Sequence, residues 1–205
     1  MTRHSEVVYP AQFAPLIAEI VITWGALEVE MDVLRAILMA QPECAAIAPV
    51  PEKTRFLQRA RQFDDLCGAY FAPYPAMVAA CSKLYNDAIK LQEDRNYVTH
   101  GRYGFGITNN VITEILISSV KNDILVFKKY THAEFQDLAD KIGSSLSYFR
   151  FMCVGFPWHL NPKILQSRWK IPTSQVAGVQ TLIDRIRNCY HSTTQQLLSQ
   201  STGLT

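Results

Sequence analysis

The chain has 205 residues and a mass of 23.2 kDa, enough for one domain, or one domain with an appendage, around a full hydrophobic core. Hydrophobic residues make up 48% of it and charged residues 19%, which excludes a disordered tail or a collagen-like repeat. The 20 basic and 18 acidic residues leave a net charge of +2. This balance excludes capture of nucleic acid by the whole surface but allows a local basic cleft.

Neither a membrane helix nor a secretory leader is expected. The most apolar segment, Ile17–Met39, carries charged residues and lacks the ~20 uninterrupted apolar residues of a membrane span. The opening MTRHSEVVYP lacks the apolar stretch of a signal peptide, which predicts a cytoplasmic protein. The five cysteines are widely spaced and never form C-x-x-C, so no zinc site, other metal or cofactor is expected. Cys67, Cys81 and Cys153 are interpreted as small core residues on apolar helix faces.

The first long element is a predicted helix over Pro15–Ala40. An apolar stripe from Ile17 to Leu38 alternates by three and four residues, as expected for one helix face. A second apolar stripe, from Ala26 to Ala40, lies on another side of the same helix. We therefore expect one side to meet its own domain and the other to meet another helix or a second copy of the chain. Gly25, which is unfavourable inside a helix, is predicted to mark a close helix contact.

Two more helices and a small sheet are predicted next. The second helix is expected to open at Pro51-Glu52, and its first half is basic. The third follows the prolines at 73 and 75 and ends at Gly101. Val111–Ser118 and Ile124–Tyr130 then have strand composition, separated by turn residues. They predict an antiparallel hairpin, or a three-stranded meander that includes Tyr103–Thr108.

Helical spacing returns after the predicted hairpin. Thr131 and Glu134 have the spacing of a capping box, which predicts a fourth helix reaching Cys153. Residues 156–172 are interpreted as irregular, and a last helix is expected from Thr173 or Ser174. The predicted fold is mainly α with a small sheet. Its predicted parts are an N-terminal arm (1–14), a helical domain (15–153) with a β insertion at about 104–130, and an irregular segment plus C-terminal helix packed on that domain (154–205).

One residue of the third helix interrupts its apolar stripe. The stripe passes through Ala88 and Leu91, and the next step of the same alternation is Arg95. A guanidinium cannot lose its charge, so an arginine on an apolar seam must be paired or must reach an opening. Asn96 and His100 share a neighbouring face close to the C-terminal end of the helix, where the helix dipole favours a protonated imidazole.

Structural roles for these three residues remain open at this point. Arg95 can form a buried ion pair with an acid such as Glu28 or Glu30. His100 can cap the helix by bonding to its terminal carbonyls. Asn96 can be an ordinary buried polar contact.

The run Arg95-Asn96-Tyr97-Val98-Thr99-His100-Gly101 resembles the signature of the HEPN family of all-helical nucleic-acid enzymes, an arginine followed after a short interval by a histidine. Members of that family often have a polar residue directly after the arginine, as Asn96 is here. The resemblance covers about Pro15–Tyr103 and implies an antiparallel helical bundle. The spacing alone is a weak signal, because it recurs at Arg185 and His191, where no glycine follows and a structural role is favoured.

The resemblance implies a metal-independent endoribonuclease that leaves a 2′,3′-cyclic phosphate. In that reaction the ribose 2′-OH attacks its own phosphate, so the protein supplies a base, an acid and a cation rather than a nucleophile. A homodimer is implied, in which the two copies of His100 share the acid and base roles. Arg95 clamps the phosphate, and Asn96 orients His100 or a phosphate oxygen.

Further partners follow from the same resemblance. RNA rather than DNA is expected because the 2′-OH is the attacking group. The nearest basic residues for binding the flanking RNA backbone are Arg59, Arg61 and Arg102. A role as a toxin or defence effector, held by an antitoxin or other inhibitor protein, is typical of the family. No membrane partner is expected.

Two other functions remain open from the sequence. One is a non-catalytic HEPN-like dimeric scaffold that binds RNA or a nucleotide in the same groove. The other is an unrelated helical protein that associates through its first helix. The motifs G-x-x-x-x-G-K-S/T, G-x-G-x-x-G, H-E-x-x-H and G-x-S-x-G are missing from the sequence, so P-loop, dinucleotide, zinc-protease and serine-hydrolase functions have no support.

Overall fold

The structure, a computed structural model, describes residues 11–51, 54–109, 111–121, 124–153, 166 and 169–202. In these ranges the chain is mainly helical, with a small antiparallel sheet after the third helix, as the sequence predicts. No helix in the same ranges combines the length and the apolar character needed to cross a membrane. The elements in chain order are α1 (Ala14–Met39), α2 (Phe56–Tyr70), α3 (Pro75–His100), β1 (Arg102–Thr108), β2 (Val111–Lys121), β3 (Ile124–Thr131), α4 (His132–Cys153) and α5 (Thr173–Thr202).

The predicted first, third, fourth and last helices are confirmed in α1, α3, α4 and α5. Along α1 the first stripe is fully buried at Ile20, Trp24 and Leu27. The start of α4 is held by the predicted capping box. The Thr131 hydroxyl accepts a bond from the Glu134 backbone N–H at 3.3 Å, and the Glu134 carboxylate accepts one from the Thr131 backbone N–H at 2.7 Å. This backbone N–H, with the Thr131 hydroxyl, lowers the pKa of Glu134.

The predicted start of the second helix at Pro51-Glu52 is wrong. The Thr54 backbone N–H donates to the Pro51 carbonyl at 3.1 Å, and residues 52 and 53 lie outside the described residues. Arg55 is extended, with φ −58° and ψ 145°, and α2 begins at Phe56. A proline followed by an acid suits a tight turn as well as a helix start, so local composition does not separate the two.

The outward side of α1 differs from the expectation for Gly25. A Cβ on Gly25 would meet nothing within 4 Å, and the residue is exposed, so it marks no close helix contact. Beside it, Val29 of the second stripe is 61% exposed, and Ala36 and Ala40 are exposed as well. Among the described residues, this stripe is therefore largely uncovered.

The three strands form one sheet in the order β1-β2-β3, with antiparallel neighbours, which confirms the three-stranded meander. Ile115 on β2 lies opposite Phe105 on β1 and Tyr130 on β3. Ile115 and Tyr130 are buried, whereas Val120 and Phe127 are exposed. Period-two alternation therefore gives the sheet one buried face and one open face.

The chain divides into two compact units, each drawing on two separate parts of the sequence. The first unit comprises residues 1–25 and 90–144, which include the sheet and the end of α3. The second comprises residues 26–89 and 145–205. The domain bounds given by the sequence stay predictions, since no observation tests them.

Each unit has its own core. In the first, the Phe135 ring packs edge-on against Phe13 at 5.9 Å and against Tyr130 at 5.0 Å between centroids. In the second, Phe63 of α2 packs against Phe149 of α4 at 5.2 Å. Cys67 and Cys81 are buried free thiols in the second unit, as predicted, while the side chain of Cys153 lies outside the described residues.

A buried polar cluster ties α1 to α2 in the second unit. The Arg35 Nε donates to the Gln62 Oε1 at 3.0 Å, and the Gln62 amide donates to the Ala48 carbonyl at 2.6 Å. Arg35 Nη1 also pairs with Asp32 at 2.6 Å. These bonds satisfy a guanidinium whose side chain is only 7% exposed, which a buried charge requires.

Candidate functional site at the end of helix α3

The C-terminal end of α3 is fixed from two sides. The Gly101 backbone N–H donates to the Tyr97 carbonyl at 2.9 Å, which closes the last helical turn. The Tyr103 hydroxyl donates to the Val98 carbonyl, one of the carbonyls that a helix end leaves open. A Cβ on Gly101 would overlap the Ile117 side chain and would lie 2.6 Å from the Tyr97 carbonyl oxygen. Only glycine therefore lets the helix end approach β2 this closely.

Arg95 lies partly buried one turn before that end. Its guanidinium carbon is 5.7 Å from the centroid of the Trp24 ring, a cation–π contact with a fully buried indole of α1. Its Nη1 donates to the Asn96 Oδ1 at 3.2 Å. The Thr99 hydroxyl bonds back to the Arg95 carbonyl at 2.8 Å. The side chain is thus oriented by an aromatic platform and by one amide.

No carboxylate neutralises Arg95 within the part of the chain that the structure describes. Its Nε is buried and has no hydrogen-bond partner there. The adjacent Asp94 carboxylate instead accepts from the Tyr130 hydroxyl at 2.9 Å and pairs with Lys128. Burial first, and the Asp94 charge second, raise the pKa of Tyr130. Among the residues that the structure describes, the positive charge of Arg95 therefore has no carboxylate counter-ion.

The alternative of a buried ion pair for Arg95 is wrong for both acids considered. Glu28 pairs with Arg59 at 3.1 Å, and Glu30 pairs with Arg150 at 3.1 Å. Both carboxylates are thus paired with other cations.

His100 is the last residue of α3 and is exposed. Among the described residues it makes no hydrogen bond, so the predicted alternative of a capping histidine is not found. Asn96 lies one turn earlier, about 40° away around the helix axis, whereas Arg95 is displaced by about 140°. Within one chain Arg95 donates to Asn96, and Asn96 lies one turn before His100, but Arg95 and His100 lie on different sides of the helix.

The three basic residues expected to bind RNA have different environments. Arg59 pairs with Glu28 and with Asp32, and its side chain is only 11% exposed. Its charge is therefore neutralised within the chain. Arg61 is exposed on α2 and lines a hollow of about 430 Å³ beside residues 47–51. Arg102 is exposed at the first position of β1. We keep Arg61 and Arg102 as candidates and leave Arg59 out.

Arg185, the arginine of the second arginine-to-histidine match, has partners that give it a structural role. Arg185 pairs with Glu43 at 2.9 Å, and its guanidinium carbon lies 5.6 Å from the centroid of the Tyr70 ring. An arginine followed after a short interval by a histidine thus occurs once with a carboxylate partner, at Arg185, and once, at Arg95, without a carboxylate from the described residues. His191 is exposed on α5, which makes it a useful control position.

Trp24 is the site residue that the sequence did not reveal. It belongs to the buried stripe of α1, and nothing in its local pattern distinguishes it from an ordinary core tryptophan. Its contact with Arg95 joins residues far apart in the sequence. No group of three histidine, cysteine, aspartate or glutamate side chains with metal-binding geometry occurs among the described residues.

No family model, curated protein or solved structure matches the chain.

Proposed function

We propose that the chain is a HEPN-family protein and acts as a metal-independent endoribonuclease through Arg95, Asn96 and His100. The observation that carries the proposal is the partly buried Arg95 guanidinium, which lies against the Trp24 ring and has no carboxylate partner from the described residues. A phosphate is the complementary ligand, because its oxygens accept the parallel N–H donors of a guanidinium. Asn96 already accepts a hydrogen bond from Arg95 and is exposed beside it.

His100 supplies proton transfer in this proposal. It is exposed at the C-terminal end of α3, where it can reach the leaving 5′-oxygen of a bound RNA and protonate it. The 2′-OH must lose a proton as it attacks the phosphorus, which needs a second imidazole in its neutral form. Arg95 stabilises the extra negative charge on the phosphorane.

A second copy of the chain supplies that second imidazole. The largely uncovered stripe of α1, with Val29 61% exposed and Ala36 and Ala40 exposed, supports a homodimer because association buries apolar surface. A two-fold axis then gives two copies of His100 and two of Arg95. Arg61 and Arg102 are the proposed contacts to flanking RNA.

As a toxin or defence effector, such an enzyme needs an inhibitor protein in its own cell. Production of the wild-type chain in a bacterial host without that inhibitor is expected to slow growth. The His100→Ala variant, produced to the same level, is expected to restore growth. Equal growth inhibition by both proteins would contradict a toxic nuclease.

The direct test is cleavage of a generic RNA by purified protein in EDTA. We expect fragments ending in a 2′,3′-cyclic phosphate. His100→Ala and Arg95→Ala are each expected to lower the cleavage rate about 100-fold or more, because each removes transition-state stabilisation. An RNA with 2′-O-methyl riboses should not be cut, since the attacking hydroxyl is blocked.

His191→Ala is the matched control, because it removes an exposed histidine from the other copy of the spacing. It should cleave like the wild type, and circular dichroism should show the same helix content for all variants. Cleavage that survives both His100→Ala and Arg95→Ala would contradict the catalytic assignment.

A second candidate function is RNA or nucleotide binding without cleavage. It is favoured by the finding that, within one chain, Arg95 contacts Asn96 while His100 makes no hydrogen bond to any described residue. In that case no fragments form, Arg95→Ala weakens RNA binding in a filter or anisotropy assay, and His100→Ala leaves it unchanged.

A further inference from the structure

A concave site lies in the second unit, and the described residues that line it all belong to that unit. Its volume is about 440 Å³, within the range of pockets that bind small molecules. The site does not depend on the proposed ribonuclease function. Its lining residues are Ala76, Ala79, Ala80, Lys83, Leu84, Asp87, Tyr148, Trp169 and Lys170.

The wall of the pocket is aromatic. The Tyr148 and Trp169 rings meet edge to face, with centroids 5.4 Å apart and an interplanar angle of 84°. Trp169 also contacts Phe151 at 5.4 Å and is buried, so its ring is held in place. Opposite this wall, α3 presents alanines and Leu84, which leave room for a flat ring to stack.

The rim carries a net positive charge. Lys83 forms an ion pair with Asp87 one turn further along α3. Lys170 is exposed and forms no ion pair with the residues that the structure describes. The Lys170 ammonium is therefore available to a ligand. It lies beside the aromatic wall and the apolar floor, the name used here for the alanines and Leu84 of α3.

The backbone at Lys170 adds an independent observation. Its φ is 54°, in the left-handed region that glycine adopts freely and that is strained for other residues. Such conformations cluster at ligand sites, where the side chain is needed despite the backbone cost.

From this combination we infer that the pocket binds a small flat aromatic acid, with the ring between the alanine floor and the Tyr148–Trp169 wall and the acidic group at Lys170. The probe is 2-naphthoate, and its uncharged amide, 2-naphthamide, is the matched neutral compound. Both are titrated into the full chain and followed by NMR shifts. The wild type should bind naphthoate more tightly than naphthamide.

Two variants separate the contribution of the apolar floor to binding from that of the Lys170 charge. Ala80→Leu fills the pocket and should abolish binding of both compounds, whereas Ala177→Leu, at an exposed position of α5, should change neither. Lys170→Gln should raise the Kd of naphthoate about threefold, as expected for one exposed charge, and leave naphthamide within error. Lys129→Gln, on β3, is the charge control.

A third variant, Lys170→Gly, separates a loss of binding from a loss of stability. It removes the ammonium and relieves the left-handed backbone, so the Tm should not fall while naphthoate weakens as in Lys170→Gln. Binding that survives Ala80→Leu, equal effects of Lys170→Gln on both compounds, or no binding of either compound to the wild type would each overturn the inference.

Discussion

Arg95 illustrates what one residue can disclose before and after the fold is known. Its interruption of an apolar stripe is visible in the sequence, and the structure confirms that it is partly buried on the seam of α3. Its partner, Trp24, was not foreseen, because the helix faces that meet are decided by tertiary packing and not by local period. The sequence could therefore identify the charged residue but not the platform beneath it.

Gly101 and Gly25 lead to opposite predictions for the free energy of unfolding, so that one variant is the control for the other. Gly101→Ala should lower the free energy of unfolding by about 1–3 kcal/mol, because its Cβ would overlap Ile117 and crowd the Tyr97 carbonyl. Gly25→Ala should raise it by up to about 1 kcal/mol, since an exposed helical glycine gains helix propensity and meets no neighbour. Urea denaturation of both variants measures the difference. Similar losses from both would contradict the described packing at the end of α3.

At the scale of elements, a helix boundary is predicted correctly where the local sequence signal fits only one kind of structure. The capping box at Thr131 and Glu134 predicted the start of α4 correctly, because it requires two side chains at a fixed spacing. Pro51-Glu52 predicted the wrong start for α2, because the same pair suits a turn. The strands were found where composition and period agreed. Only the structure shows which side of α1 is exposed, because apolar spacing in the sequence does not reveal what packs against a stripe.

The capping box leads to a stability prediction. Thr131→Ala should lower the free energy of unfolding by about 1 kcal/mol, because the Glu134 N–H loses its acceptor. Thr181→Ala, an exposed threonine inside α5, is the control and should be neutral or slightly stabilising, since alanine is the better helix former. Thermal unfolding followed by circular dichroism compares the two. Equal losses would contradict a cap at Thr131.

The same contact has a pH dependence whose sign is fixed. The hydrogen bonds from Thr131 lower the pKa of Glu134 in the folded state below its ordinary value of 4.5. Their contribution is therefore present above about pH 4.5 and is lost as the pH falls through the folded pKa. NMR titration of the Glu134 carboxyl should show a pKa nearer 4.5 in Thr131→Ala than in the wild type. An unchanged pKa would contradict the bond.

At the scale of the whole molecule, the sequence predicted the fold class, but the two compact units have no counterpart in the sequence pattern. A mainly helical chain with one meander follows from the periods, and the structure confirms it. The two compact units each combine distant parts of the sequence, and α1, α3 and α4 each contribute residues to both. No composition change marks such a division, because the helices are continuous where the units change.

The proposed homodimer is testable at this scale. Val29→Glu places a charge on the uncovered stripe of α1 and should shift sedimentation from dimer to monomer at micromolar concentration. Because Val29 is exposed in the single chain, the Tm of the monomer should hardly change. Leu57→Glu, at a 45% exposed position on α2, is the matched control and should leave the sedimentation unchanged.

If the ribonuclease proposal is right, Val29→Glu should lower RNA cleavage in proportion to the loss of dimer, and high protein concentration should restore it. Full cleavage by a monomeric Val29→Glu protein would show that one chain is sufficient. The composite site would then be wrong.

The contact between Arg95 and Trp24 makes the indole an intrinsic optical reporter. Charge beside an indole shifts its emission, and an anion bound at the guanidinium draws positive charge away from the ring face. A chain in which Trp158 and Trp169 are replaced by phenylalanine retains this single emitter. Its spectrum then follows occupancy of the arginine directly, without a label and without waiting for any product.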